Sequence, residues 1–132
     1  MQEKIKVLSI VKSKTKVKKG MVTIEDCIDQ YAPGMYTYSD VLAKDAIKEV
    51  DKLRPEIIWI TQDASTDYSD LVKEIKRIHP AAAIFMMFAG VFDDEQELTN
   101  TYLALGVYKC YFIPPLILDT LAHDMYVALN LE

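Results

Sequence analysis

Five times along the chain, a short apolar run rich in β-branched residues gives way to a stretch whose apolar positions recur every three or four residues. Ile5-Lys6-Val7-Leu8-Ser9-Ile10-Val11 predicts a buried strand, and the lysine-rich residues after it, through Gly20, predict a loop. Thr23 is placed to cap a helix, with Asp26 three positions on, and Ile24, Cys27, Ile28 and Tyr31 share one face. Pro33-Gly34 ends that helix. Met35-Tyr36-Thr37-Tyr38 predicts a short edge strand, and Ser39 a cap for a second helix with the stripe Leu42, Ala43, Ala46, Ile47, Val50 and Leu53. Pro55 stops it. Ile57-Ile58-Trp59-Ile60 is continuous enough to predict a strand buried on both faces. A polar segment follows from Thr61 to Ser69, then a third helix on Leu71, Val72, Ile75 and Ile78. Ile84-Phe85-Met86-Met87-Phe88 predicts the fourth strand. Asp93 or Asp94 can cap the fourth helix, whose apolar face uses Leu98, Tyr102, Leu103 and Leu105 before Gly106 closes it. Cys110-Tyr111-Phe112-Ile113 predicts a fifth strand, and Pro114-Pro115 opens the last helix, with Leu118, Leu121, Ala122, Met125 and Leu129 inward.

A strand run with two apolar faces needs cover on both, and each helix offers one stripe. Helices on both sides of a parallel sheet satisfy all of them, which predicts an α/β, doubly wound, five-stranded (βα)5 sheet. Periodicity leaves the strand order open.

Composition narrows the class. The 132 residues are 51% hydrophobic and 27% charged, with 4 Gly and 5 Pro, enough for one core and too apolar for disorder. A single domain over residues 1–132 is expected. Two cysteines make no disulfide framework, no apolar run is long enough to span a membrane, and residues 1–6 lack a secretory signal, so a cytoplasmic location is the default expectation. The net charge of −5 hides an asymmetry: residues 1–19 carry seven Lys and one acid, whereas the remainder carries eight basic and nineteen acidic side chains. An acidic body argues against direct nucleic-acid binding. The exception is the run Lys12, Lys14, Lys16, Lys18 and Lys19, which reads as a solvated loop or as a site for an anion or an acidic partner. His79 and His123 form no metal-ligand spacing with Cys27 or Cys110, and there is no glycine-rich phosphate loop or paired catalytic motif. No metal, cofactor or enzymatic activity is predicted from these signals.

The pattern resembles the receiver domain of two-component response regulators, the CheY-like family, over residues 4–130. The resemblance rests on element order and lengths with a few local anchors, and it implies the flavodoxin-like strand order 2-1-3-4-5. In the family an aspartate that accepts phosphate ends the third strand, and Thr61 of Pro55-Glu56-Ile57-Ile58-Trp59-Ile60-Thr61 occupies that position. Val11 and Lys12 stand where the family keeps two metal-binding acids. Phe88 stands at the hydroxyl position after the fourth strand, with Ala89 following, and Ile113-Pro114 at the Lys-Pro pair, for which the resemblance implies a cis bond. Cys110 matches an aromatic that reorients on phosphorylation in the family.

Transfer of a phosphoryl group to a carboxylate needs that carboxylate and a hard divalent cation held by oxygen ligands. The acceptor, both acids, the hydroxyl and the lysine are all replaced, so the resemblance implies a degenerate pseudo-receiver that works as a phosphorylation-independent protein-interaction and signalling module. Two other readings stand beside it. Asp63, with Asp67 and Asp70 behind it, serves as an alternative phosphoacceptor if the register shifts, and the lysine run senses an anionic ligand. In receivers the fourth helix, fifth strand and fifth helix form the docking face, which by position takes in Tyr102, Tyr108 and Tyr111. The expected partner is another signalling protein or a homo-oligomer mate, with an acidic partner at the lysine run.

Overall fold

The computed structural model describes residues 4–12, 24–113 and 118–129. Five strands, β1 (Ile5–Val11), β2 (Tyr36–Leu42), β3 (Ile57–Gln62), β4 (Ala83–Ala89) and β5 (Lys109–Ile113), alternate with α1 (Ile24–Tyr31), α2 (Ala46–Leu53), α3 (Ser69–Ile78), α4 (Glu95–Ala104) and α5 (Leu118–Ala128). All pairings are parallel and the sheet order is β2-β1-β3-β4-β5. This is the doubly wound order that the resemblance implied.

The period of two along β3 explains the layering. Ile58 and Ile60 enter one core with Val50 of α2, Val72 and Ile75 of α3 and Tyr102 of α4. Ile57 and Trp59 enter the other with Ile28 of α1 and Leu121 and Met125 of α5. All four β3 residues are buried, so this run supplies apolar area to both layers, about 1.5–3 kcal/mol per side chain. The ring of Trp59 packs against Tyr38, and its indole Nε1–H is buried without an acceptor. That unsatisfied donor is a cost the ring's buried area must outweigh.

Three sequence expectations are corrected. β2 runs on to Leu42, so Ser39 lies within a strand and caps no helix. The reason is tertiary: Tyr36 to Leu42 pair residue for residue with Ile5 to Val11 of β1, and a 3-10 turn at Ala43–Asp45 then leads into α2. β3 extends two residues past Ile60, because Thr61 and Gln62 keep pairing with Met87 and Phe88. Leu103 lies on the outer side of α4, 44% exposed. Other boundaries follow local chemistry. Arg54, at φ 50°, ends α2 before Pro55 and donates to the Ile78 carbonyl at 2.8 Å. Asp94 caps α4 by accepting from the Glu97 amide at 2.9 Å. Gly106, at φ 102°, turns the chain toward β5 where a Cβ would meet the Lys76 side chain at 3.0 Å. The expected cap Thr23 and residues Gly20 and Pro115 lie outside the described residues.

Candidate functional site at the carboxyl edge of the sheet

The last β1–β3 pair is Ile10 with Ile60, and one step further the two strands carry Val11 and Thr61. Phe88 on β4 pairs with Gln62 on one side and Phe112 on the other, and Ile113 ends β5 beside Ala89. The register thus brings Val11, Lys12, Thr61, Asp63, Phe88 and Ile113 to one end of the sheet. Pro114, Lys14, Lys16, Lys18 and Lys19 lie outside the described residues.

Thr61 is the penultimate residue of β3, half-buried, and Asp63 is the first residue beyond the strand. Asp63 closes a local turn. Its Oδ1 accepts from the Thr66 hydroxyl at 2.5 Å, the Ser65 hydroxyl at 2.7 Å and the Ser65 amide at 3.0 Å. Its Oδ2 faces Lys12 Nζ at 3.5 Å, and the same ammonium donates to Ser65 Oγ at 3.2 Å. The Thr66 and Ser65 hydroxyls, then the Ser65 amide and Lys12, hold the Asp63 carboxyl well below the usual carboxylate range. Such a carboxylate is ionised at neutral pH, with Oδ1 committed to the turn and Oδ2 facing Lys12.

The divalent cation implied by the fold family does not fit these residues. Val11 offers no side-chain ligand atom, Lys12 offers a cation, and the nearby carboxylate of Asp63 already faces that cation. Among the described residues no three His, Cys, Asp or Glu side chains are grouped to hold a metal.

Because Asp63 is more acidic folded than unfolded, its contribution to stability is present above the ordinary aspartate range and is lost as pH falls below about 4. Asp63→Asn is therefore expected to lower the urea midpoint at pH 7. The gap to the native chain should narrow at pH 3. A gap independent of pH would mean that the turn, rather than the ionised carboxylate, carries the effect.

The opposite half of the edge is aromatic. Phe88, fully buried, stacks on Phe112 at 5.0 Å between centroids and meets Tyr102 and Phe92 edge-on at 5.3 and 5.4 Å. Four rings, those of Phe88, Phe92, Tyr102 and Phe112, pack together at this position. Beneath them the Tyr102 hydroxyl donates to Gln62 Oε1 at 2.6 Å and accepts from the Tyr68 amide at 3.1 Å, with Asp67 Oδ1 at 3.2 Å. The Tyr68 amide also reaches Gln62 Oε1 at 3.1 Å. Burial pushes the Tyr102 phenol up to about 12, so it remains a neutral donor. A side chain of α4 is thereby tied to the tip of β3 and the loop before α3. Neither Gln62 nor Phe112 stood out in the sequence. The available signal for Gln62 was its place two residues after Ile60, on the face that Ile58 and Ile60 bury.

The three tyrosines expected on one docking face separate. Tyr102 is 1% exposed and belongs to the core, as its place on the apolar face of α4 predicts, which corrects its carry-over to the docking face. Tyr108 is 42% exposed with its ring against Phe85. Tyr111 is half-buried, and its hydroxyl donates to Asp124 Oδ2 at 2.6 Å beside Lys109 Nζ at 2.7 Å. Burial and then Asp124 push its phenol well above the ordinary range. Burial likewise pushes the Cys110 thiol up to about 11, away from thiolate chemistry.

No protein-family model matches the chain, and no curated protein matches it. Solved structures do. The signal receiver domain of a Luxo repressor protein from Vibrio parahaemolyticus superposes with a TM-score of 0.68 at 16% identity, over 97% of this chain and 92% of that one. NtrX from Brucella abortus gives 0.66 at 18% identity over 97% of this chain, which spans 26% of NtrX. The RcsB response regulator of Salmonella typhimurium gives 0.63 at 15%, over 98% of this chain and 59% of RcsB. The fold is the CheY-like receiver fold.

Proposed function

We propose that the chain is a receiver-fold signalling module that binds protein partners without phosphorylation and catalyses no reaction of its own. The observation that carries this reading is the pairing of Lys12 with Asp63, a cation against the nearest carboxylate, where phosphoryl transfer needs acids around a divalent ion. The ring cluster on Phe88 supports it, since the fold family uses a small hydroxyl side chain there. Thr61 has an unactivated alcohol and is a poor nucleophile in its place. Fold likeness, with docking as the common use of receiver surfaces, suggests another signalling protein as the partner class. No helix of the described residues is long and apolar enough to cross a membrane.

Incubation with acetyl phosphate and Mg²⁺, followed by intact mass measurement at neutral pH, tests the reading. The expected result is an unchanged mass for both the native chain and Asp63→Asn. A stoichiometric phosphoryl adduct on the native chain that Asp63→Asn abolishes would establish Asp63 as a phosphoacceptor and overturn the proposal.

A further inference from the structure

Between the loop that follows β3 and the helix α4 lies a recess of about 260 Å³. Ala64, Phe92 and Leu98 give it apolar walls. Gln62 and Tyr102, 4% and 1% exposed, line it most deeply, and Asp67 stands exposed at its side. The strand period puts a polar group at that depth. Gln62 ends β3 on the face that Ile58 and Ile60 turn toward α3 and α4.

One donor there is left over. Gln62 Oε1 accepts from the Tyr102 hydroxyl and the Tyr68 amide. The Tyr68 N–H can only donate, which fixes which way the side-chain amide is turned. Reversed, it would set two N–H groups against each other at 3.1 Å. Nε2 therefore points away from this tie. It carries two hydrogens and donates to none of the described residues. Such a donor has given up most of its contact with water without gaining an acceptor, which is uncommon in a side chain this buried.

An acceptor stands beside it. Asp67 Oδ1 takes the Ser69 amide at 2.9 Å and lies 3.2 Å from the Tyr102 hydroxyl, so Gln62 and Asp67 flank the same group. The Ser69 amide and hydroxyl hold the Asp67 carboxyl below its ordinary range, and it is ionised at neutral pH. A carboxylate has about four lone-pair sites, which these contacts do not fill.

A donor next to an acceptor selects a ligand by hydrogen-bond matching. A carboxylate ligand has no hydrogen to give Asp67. An ammonium or guanidinium has no lone pair for Gln62. A neutral amide edge has both. The apolar walls, Phe92 among them, suit a flat ring behind that edge, and the volume suits one or two rings rather than a folded element.

We infer that the recess between the β3–α3 loop and α4 binds a small neutral planar ligand with an acceptor and an N–H donor side by side, the edge shared by aromatic carboxamides and nucleobases. Gln62 Nε2 donates to its acceptor, Asp67 accepts from its N–H, and the ring lies along Phe92 and Leu98. This goes beyond protein docking, and its test is independent of the acetyl phosphate experiment.

A ¹⁵N–¹H titration of the full chain with nicotinamide, and separately with cytosine, tests the inference and tells the two sources apart. Saturable shifts are expected at the Gln62 side-chain NH₂ pair and at the amides of residues 62–69 and 98–102, with a dissociation constant of about 1–10 mM for at least one probe. Nicotinate and 3-acetylpyridine keep the ring and an acceptor oxygen but lack the N–H, and should bind at least about fivefold more weakly than nicotinamide if the carboxamide binds. Gln62→Glu keeps the acceptor for Tyr68 and Tyr102 and removes only the donor, so it should weaken binding about fivefold or more. Ala64→Leu, at an exposed loop position, narrows the recess without touching the buried tie and should weaken binding by as much, which keeps the test open if Gln62→Glu unfolds. Ala81→Leu, exposed in the turn before β4 at the other end of the sheet, is the control and should change the affinity less than about twofold. The absence of saturable shifts with both probes would overturn the inference. Binding of nicotinate or 3-acetylpyridine as tight as that of nicotinamide, or an affinity unchanged by Ala64→Leu, would overturn it as well.

Discussion

Phe88→Ala is expected to lower the unfolding free energy by about 4 kcal/mol, read as a large fall in the urea midpoint. Phe88 is fully buried and touches the rings of Phe92, Tyr102 and Phe112. Truncation removes its transfer free energy and leaves a cavity among side chains that stiff strands hold apart. Each ring pair adds about 0.5–1.5 kcal/mol beyond area, which keeps the expectation off the lower end of the range for phenylalanine. Phe88→Thr puts a hydroxyl at the position where the resemblance expects one. It is expected to cost nearly as much, because three rings are poor acceptors for a buried hydroxyl, and to leave the mass unchanged by acetyl phosphate. A loss below about 1 kcal/mol for Phe88→Ala would show that the neighbouring rings collapse into the space.

Tyr102→Ala and Tyr102→Phe are expected to differ about fourfold in cost, near 4 and near 1 kcal/mol. The alanine variant removes the buried side chain of α4. The phenylalanine variant keeps the packing and loses the hydroxyl alone. Its hydrogen-bond partners survive that loss, since the Tyr68 amide still reaches Gln62 Oε1 at 3.1 Å. No buried donor is orphaned, which is why the smaller figure applies. Amide exchange gives a second readout. In Tyr102→Ala, exchange should rise first across α4, whose remaining side chains are half-buried or exposed, while β1 and β3 stay protected. Uniform acceleration across the sheet would mean that α4 opens only with the whole domain. Phe88 and Tyr102 touch, so the two alanine substitutions together should cost less than the sum of each alone.

These expectations arise at residues of unequal visibility in the sequence. Ile57 to Ile60 announced a central strand because four successive bulky apolar residues have no other economical burial. The end of that strand was harder to see. Thr61 and Gln62 are polar and resemble a loop, yet their backbones continue the ladder to β4 and the Gln62 amide finds Tyr102. β2 was cut short for the same reason, since Ser39 and Asp40 look like a helix start until β1 pairs with them. Tyr31 and Tyr102 came to different ends, one exposed and one buried. Both fell on apolar helical stripes, but a stripe gives an angle around one helix and says nothing of how far the facing surface stands off. At Tyr102 the facing strand tip offers a hydrogen-bond acceptor in a closed core. At Tyr31 the small residues Ala32 and Ala122 leave room.

Local chemistry was enough to specify five strand–helix units and a two-sided sheet, because backbone propensity and apolar period are properties of short segments. Which groups meet was decided by the folded chain alone. Lys12 and Asp63 are 51 positions apart, and Gln62 and Tyr102 are 40 apart. Parallel pairing in the order β2-β1-β3-β4-β5 brings them together at one end of the sheet, where distance and shared burial, rather than residue type, make an ion pair, a hydrogen-bond tie and a ring cluster out of unremarkable positions.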